Sequence, residues 1–408
     1  MPACYSQRYP ATPPGPDAAH PVYPFAGQGH YGPWKHGGNL YAYLGNADNE
    51  GTGQMYKSTD EGWTWAIQDY KPALWNGLIA YDPPHNRVVL LHRFADAEES
   101  RLELVDFNLD TDTWSEPYAF VDWSTDSGFA ITTGTLCIRA NGDIVPVAEE
   151  ANSPWHIRYA IWDGSGWTFP PTDISDNIPT STGRAWFRDA RCDPDSDNIH
   201  VVYERSTTIP STSWTGYHRV LKGDGTLSTP VVITSHTGTY AEQIGTGVAI
   251  TFQGGQVHLW VRKNFLVKVL NGTLPVPASF TEITVADASG SFGWLTEYTD
   301  VSGFASADGT KLTALWTRGG PNPGYHYDRG ATQVWKSESA DDGATWSTPV
   351  LFFDRWPSDM RLSEWSVTDI GTGGVEGVGA FCTTETNGVA EFLFQCPEGA
   401  PALSNYAF

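Results

Sequence analysis

The sequence predicts an all-β chain folded as a single seven-bladed β-propeller of four-stranded blades, with the ring closed by an N-terminal strand in the last blade. Three observations carry that expectation: a composition rich in glycine and aromatics, a hairpin that recurs seven times, and a turn motif that appears twice in full. The chain has 408 residues with 42 Gly, 28 Pro and 18 Trp, and only 17% charged residues. So many aromatics with so few charges exclude a disordered chain. Glycine and proline between short β-branched runs read as strands and turns.

The recurring unit is a tight turn followed by an alternating apolar strand. Its copies are HGGNLYAYLG, PPHNRVVLLHR, RANGDIVPVAE, DSDNIHVVYER, QGGQVHLWVR, ADGTKLTALWTR and TGGVEGVGAF, with turn residues Gly38, Asn86, Gly142, Asn198, Gly255, Gly309 and Gly374. Such residues supply the positive φ that short hairpins need. Apolar runs such as GLIAYD, GTLCIR and GVAITF precede the turns, so each copy opens with a hairpin. A repeat of this length holds four short strands, which is a propeller blade. The expected blades span 26–70, 71–120, 127–172, 183–233, 243–283, 298–353 and 362–397, the last completed by a strand at 3–9, all in one domain covering 1–408. That closure would remove an open sheet edge and bring Cys4 toward Cys396, a candidate disulfide.

The second motif is S-x-D-x-G-x-T-W, present at Ser58–Trp65 and Ser339–Trp346, with partial copies at Asp110–Trp114, Asp163–Trp167, Gly223–Gly225 and Asn271–Gly272. Ser and Asp can bond turn amides, Gly takes the left-handed position, and Trp packs between sheets. These residues shape a turn and carry no catalysis.

Charge narrows the partners. A net charge of −23, from 24 Lys+Arg against 47 Asp+Glu, lacks the basic footprint of a nucleic-acid binder. No apolar run is long enough for a membrane-spanning helix, so neither nucleic acid nor membrane insertion is expected. No basic and apolar leader is visible at the N-terminus, and the expected location is extracellular or on a virion. The five cysteines show no metal-type spacing, and no residue set indicates zinc. Oxygen-rich loops at Asn46–Glu50 and Asp193–Asn198 offer ligands for a structural calcium; otherwise no cofactor is expected.

In a propeller, ligands meet the face where the innermost strands begin. The hairpin turns then fall on the opposite face, and ten of the 16 Arg fall on the ligand face: Arg93, Arg101, Arg158, Arg184, Arg188, Arg205, Arg262, Arg318, Arg329 and Arg361. Arginine forks suit carboxylates and sulfates, and indoles stack on sugar rings. Trp75, Trp155, Trp186, Trp214 and Trp294 accompany them. The expected partner is therefore an acidic oligo- or polysaccharide, with Tyr31, Trp75, Asn76, Arg184, Trp186, Glu204, Arg205, Arg262 and Arg318 as binding residues. The same arginines could instead bridge to Asp189, Glu149 and Glu204. For chemistry, the strings Gly27–Gly32 and Gly324–Arg329 supply His30, His326 and Tyr327. Histidine can act as a base near neutral pH, tyrosine can return a proton, and an arginine such as Arg188 can neutralise a uronate. Those are the parts of a β-elimination.

The boxes and the blade count resemble the sialidase-like, BNR/Asp-box propeller superfamily across the whole chain. Sialidases have six blades and an arginine triad; here Arg8-Tyr9-Pro10 is a faint echo of their N-terminal motif, and Arg188, Arg262 and Arg318 could be nominated for the triad. The chain is more similar to seven-bladed polysaccharide lyases and rhamnose–glucuronate-active members, through Gly29-His30, Gly37-Gly38 and Ser58–Trp65. That resemblance implies a lyase or glycosidase acting on a uronate-containing glycan at the central channel mouth, by elimination or hydrolysis, with His30 catalytic or contacting the uronate. The alternative is a non-catalytic glycan- or receptor-binding propeller of a virion or cell surface.

Overall fold

The computed structural model describes residues 6–8, 34–45, 53–59, 66–68, 77–93, 101–122, 131–150, 155–168, 172–176, 183–206, 213–237, 248–263, 266–287, 301–306, 309–319, 331–354, 362–369, 378–384 and 389–395. Apart from one 3-10 turn at Pro83–His85, every regular element among them is a β-strand. No described helix is long and apolar enough to cross a membrane.

Six antiparallel blades are each built from consecutive strands. Blade I runs from Trp34–His36 to Ala66–Ile67 and blade II from Gly77–Asp82 to Ala119–Asp122. Blade III comprises Ile131–Ile138, Ile144–Glu150, His156–Tyr159 and Thr172–Asp173. Blade IV comprises Arg184–Cys192, Ile199–Ser206, Ser213–Leu221 and Val231–Thr237. Blade V runs from Ala249–Gln253 to Thr281–Asp287, and blade VI from Val301–Ala305 to Val350–Asp354. The remaining sheet joins the two ends of the chain: Leu362–Asp369, Val378–Thr384 and Val389–Gln395, with Ser6–Arg8 paired antiparallel to the last of them. The seven blades expected from the repeat are thus corrected to six blades of consecutive strands plus this sheet of mixed origin. Cys4 and Cys396 lie outside the described residues.

Five of the seven expected turn residues take the left-handed conformation; Asn198 does not, its loop turning instead through Asp193–Asp197, and Gly374 lies outside the described residues. Gly38, Gly142, Gly255 and Gly309 have φ of 85, 90, 72 and 67°, and Asn86 reaches the same region at 52°. The 339–346 box closes as its residue types require. Asp341 Oδ1 accepts from Thr345 N (2.8 Å) and Ser339 Oγ (2.7 Å), while Ser339 Oγ accepts from Gly343 N (2.9 Å). Trp346 then meets Trp260 of blade V edge-on, with ring centroids 5.4 Å apart. The 58–65 box falls mostly outside the described residues.

Burial follows from the alternation of each strand. One apolar layer fills each gap between neighbours from blade I to blade VI. From blade II onward the first strands of successive blades lie against one another, which identifies them as the inner strands. Buried polar groups stitch them together. Glu149 Oε2 accepts from Phe187 N (2.9 Å), Asp189 Oδ2 from Ile250 N (3.0 Å), and Thr251 Oγ1 donates to Gly303 O (2.7 Å). Each bond satisfies a backbone group that the sheet ladder leaves open.

The gap between blades IV and V also holds a buried histidine pair, with His200 Nδ1 2.9 Å from His218 Nε2. Phe252 and Phe280 stand edge-on at 5.1 and 5.0 Å. Burial pushes His200 down to about 4 and His218 well below the usual imidazole range. Both rings are neutral in the fold, whereas in the unfolded chain they bind protons near pH 6.5. Between those values the unfolded state holds more protons, so stability is full above about pH 6.5 and is lost as pH falls toward 4. The slope is about 1.4 kcal/mol per pH unit for each proton. The melting temperature is expected to fall from pH 7 to pH 5, and less steeply in His200→Gln than in the natural sequence. Parallel slopes would remove the pair as the cause.

Candidate functional site

The strand polarity brings one end of blades III and IV together: the start of each inner strand, the end of each second strand and the start of each third strand. On blade IV, Trp186 lies opposite Glu204 and Ala185 opposite Arg205. A bulge between Phe187 and Asp189 makes Arg188 the extra residue. Bulges re-aim a side chain, and here it turns onto the neighbouring strand. Arg188 Nε donates to Glu204 Oε2 at 2.9 Å, and Nη2 donates to the same oxygen. Glu204 has no exposed surface and Arg188 only 7%. The guanidinium expected to neutralise a substrate carboxylate already faces a carboxylate of its own fold.

Trp186 is also engaged. Trp214 stacks on it with centroids 4.1 Å apart and planes at 21°, and Arg188 Cζ stands 5.3 Å from its ring centroid. Arg262 is buried at the end of the second strand of blade V.

Arg184 and Arg205 differ from these. Trp155 and Arg184 form an isolated parallel bridge, and Trp155 O accepts from Ala185 N at 3.0 Å. This sets Arg184 Cζ 3.8 Å from the centroid of the Trp155 ring, a close cation–π stack. Arg205 Nη1 reaches Ser175 O at 3.5 Å. Among the described residues neither arginine has an acidic partner, and the Nε of each is buried without a hydrogen bond. Both side chains are half-buried.

The blade III side carries Arg158, counted above among the ligand-face arginines, together with His156 and Asp173, which the sequence did not single out. Arg158 Nη1 stands 2.7 Å from Glu150 Oε2, and His156 Nδ1 stands 2.9 Å from Asp173 Oδ2. Glu150 pairs across the ladder with His156, and Arg158 with Asp173. Asp173 Oδ1 accepts from Ser175 N and Oγ, both at 2.7 Å. Burial works against ionisation of Asp173, but the His156 ring and the Ser175 donors outweigh it and hold the carboxyl below its usual range. The signal that could have found His156 is its place directly after Trp155 at the start of a third strand.

Of the other expected site residues, Arg318 lies in the strand Leu312–Gly319, opposite Gln333. His30, Tyr31, Trp75, Asn76, His326 and Tyr327 lie outside the described residues. In the 193–198 loop Asp193 Oδ1 accepts from Asp195 N and Oδ2 from Ser196 Oγ, while Asp197 Oδ1 accepts from Ala140 N of the blade III hairpin; the Asn46–Glu50 loop lies outside the described residues. Among the described residues no group of three His, Cys, Asp or Glu is placed to hold a metal ion.

The chain matches no known family profile and no curated protein. Its fold is similar to solved structures. The polysaccharide lyase Uly1 superposes with a TM-score of 0.54 at 8% identity, over 92% of each chain. An ulvan lyase of polysaccharide lyase family PL25 gives 0.55 at 12% identity, over 95% of this chain and 96% of that one. The same enzyme has been solved with -[GlcA(1-4)Rha3S]- bound, with the same agreement.

Proposed function

We propose that this chain is a glycan-acting propeller that binds an acidic, uronate-containing glycan at the shared end of blades III and IV and cleaves it by β-elimination or hydrolysis. One observation carries the reading: Arg184, stacked on Trp155, and Arg205 present guanidinium groups without acidic partners among the described residues, on a chain of net charge −23. A guanidinium held on an indole is preorganised for a carboxylate or sulfate, and the surrounding rings supply apolar surface for a sugar. The likeness to the ulvan lyase, solved with a glucuronate–sulfated-rhamnose unit, supports the same ligand class. We further read the sheet of mixed origin as a seventh blade that closes the ring, since its strand Leu362–Asp369 packs on Val301–Ala305 of blade VI. Polymers of this kind are met outside the cell, which agrees with an extracellular or virion-borne protein.

A panel of acidic and neutral polysaccharides tests the reading. Binding to uronate-bearing chains that weakens with added salt is expected, with release of unsaturated uronate for elimination or of reducing sugar alone for hydrolysis. Arg184→Ala is expected to weaken binding about tenfold or more, the loss of one charge-assisted contact of roughly 1.5–3 kcal/mol. Binding without any release selects the non-catalytic glycan-binding alternative. Equal affinity for neutral and acidic chains, unchanged in Arg184→Ala, would overturn the proposal.

A further inference from the structure

We propose that the His200–His218 pair makes the seam between blades IV and V an acid-operated latch, closed at neutral pH and the first seam among blades I to VI to open when its imidazoles take up protons. The proposal stands apart from the glycan reading and concerns where acid acts on the fold.

The pair is built to be neutral. His200 Nδ1 and His218 Nε2 are 2.9 Å apart, so a single hydrogen lies between them. A proton added to the pair creates an N–H that points away from this contact. On His200 that nitrogen is Nε2, which is buried without a hydrogen bond. Neither ring has more than 1% of its surface exposed, and Phe252 and Phe280 of blade V stand edge-on against them. A charge placed there is neither solvated nor paired. Rings freed by an open seam bind protons near pH 6.5 instead, so protons favour the open form, as they do in histidine-gated interfaces.

The surrounding groups do not offset that charge. On the inner strand Arg191 lies opposite His200 and stands 3.9 Å from Asp189. Asp189 itself accepts from Ala190 N and Ile250 N. Asp193 favours a charged His200, but its oxygens already accept from Asp195 N and Ser196 Oγ. Val202, Val220 and Val231 face the two rings across the ladders of blade IV. On blade V, Glu282 lies opposite Leu270 and accepts from Lys263 and Lys268.

Acid finds no second place like this among the described side chains. His36, His85, His92 and His156 stand 2.8, 2.9, 3.8 and 2.9 Å from Asp110, Asp82, Glu103 and Asp173. His258 is a single ring on Asn271, and Asp342 favours its charged form. Protons therefore load one seam with two unpaired charges. That seam can part while each blade keeps its own ladder, because apolar packing and the bond from Ile250 N to Asp189 span it. Such sub-global openings cost less than unfolding the whole chain.

Amide hydrogen exchange on the full chain, resolved to single residues, tests the latch. Ile250 N–H is held by Asp189 across the IV–V seam, and Phe187 N–H by Glu149 across the III–IV seam. The two report equivalent bonds on neighbouring seams. Protection is compared at pH 6.5 and pH 5 after correction for the intrinsic pH dependence of exchange. The open seam gains about tenfold in population per pH unit for each proton it takes up. Protection of Ile250 is therefore expected to fall about a hundredfold or more, and that of Phe187 by less than about threefold. His200→Gln keeps one imidazole, and its fall at Ile250 is expected to shrink to about tenfold. With His218→Gln added, the difference between the two amides should vanish. Equal falls at Ile250 and Phe187 in the natural sequence, or no fall at Ile250, would overturn the latch. So would a fall at Ile250 in His200→Gln as large as in the natural sequence, which decides the matter even where the double variant does not fold.

Discussion

Glu204→Ala is expected to cost about 3–5 kcal/mol of folding free energy, the penalty for leaving a buried charge without its partner. Glu204 is wholly buried and receives two donors from Arg188, which has almost no exposure of its own. Removing the carboxylate strands a guanidinium between the inner and second strands of blade IV, where water cannot replace the lost acceptor. Glu204→Gln keeps an acceptor and loses the charge, so its cost should be smaller. The double variant Arg188→Met with Glu204→Leu is the informative one. A buried ion pair repays little more than its own desolvation, so removing both charges should recover most of what Glu204→Ala loses. Chemical denaturation of the three variants checks this. A double variant no more stable than Glu204→Ala would show that the pair holds blade IV through more than mutual neutralisation. The same measurement bears on the proposed site, because a guanidinium committed to Glu204 is not open to an anion in the way proposed for Arg184.

The contrast between Arg188 and Arg184 shows where the sequence stops being readable. Both are arginines at the start of an inner strand, four residues apart, and residue type alone gives them the same role. Their fates separate through a bulge at 187–189 and through a glutamate on the next strand in one case and an indole on the previous blade in the other. Those are registers and inter-blade contacts, which no local pattern encodes. The hairpin turns are different. Gly38, Asn86 and Gly142 adopt left-handed φ because their own backbone demands it, and that demand is written in three or four adjacent residues. The 339–346 box was legible for the same reason, down to Trp346 entering the gap between blades. Asp173 was not. The partial box at Asp163–Trp167 marks the end of the third strand, but the fourth strand of blade III is only the pair Thr172–Asp173. It is too short to carry a periodicity, and the expected blade stopped one residue before the carboxylate that lies 2.9 Å from His156 Nδ1.

Gly303→Ala is expected to destabilise the chain by about 3 kcal/mol, the upper end of ordinary overpacking. The reason is space and not backbone conformation, since Gly303 is not among the residues with positive φ. A Cβ built on Gly303 would sit 1.9 Å from Cε2 and 2.3 Å from Cδ2 of Trp260. The indole belongs to the second strand of blade V, has no exposed surface and lies on the inner strand of blade VI. It cannot slide away cheaply. Trp260 Nε1 donates to Thr251 Oγ1 at 3.0 Å, and that hydroxyl donates to Gly303 O at 2.7 Å. Trp346 also stands against the indole at near right angles, with ring centroids 5.4 Å apart. Moving the ring therefore breaks the link that ties blade V to blade VI and disturbs the box beyond it. Trp260→Leu alone should also destabilise, by leaving a cavity and a hydroxyl without its donor. If steric overlap is the cause, the combination of the two should cost clearly less than the sum of the single changes. Additive costs would place the damage of Gly303→Ala elsewhere, in the strand pairing of blade VI and not in the packing of one blade on the next.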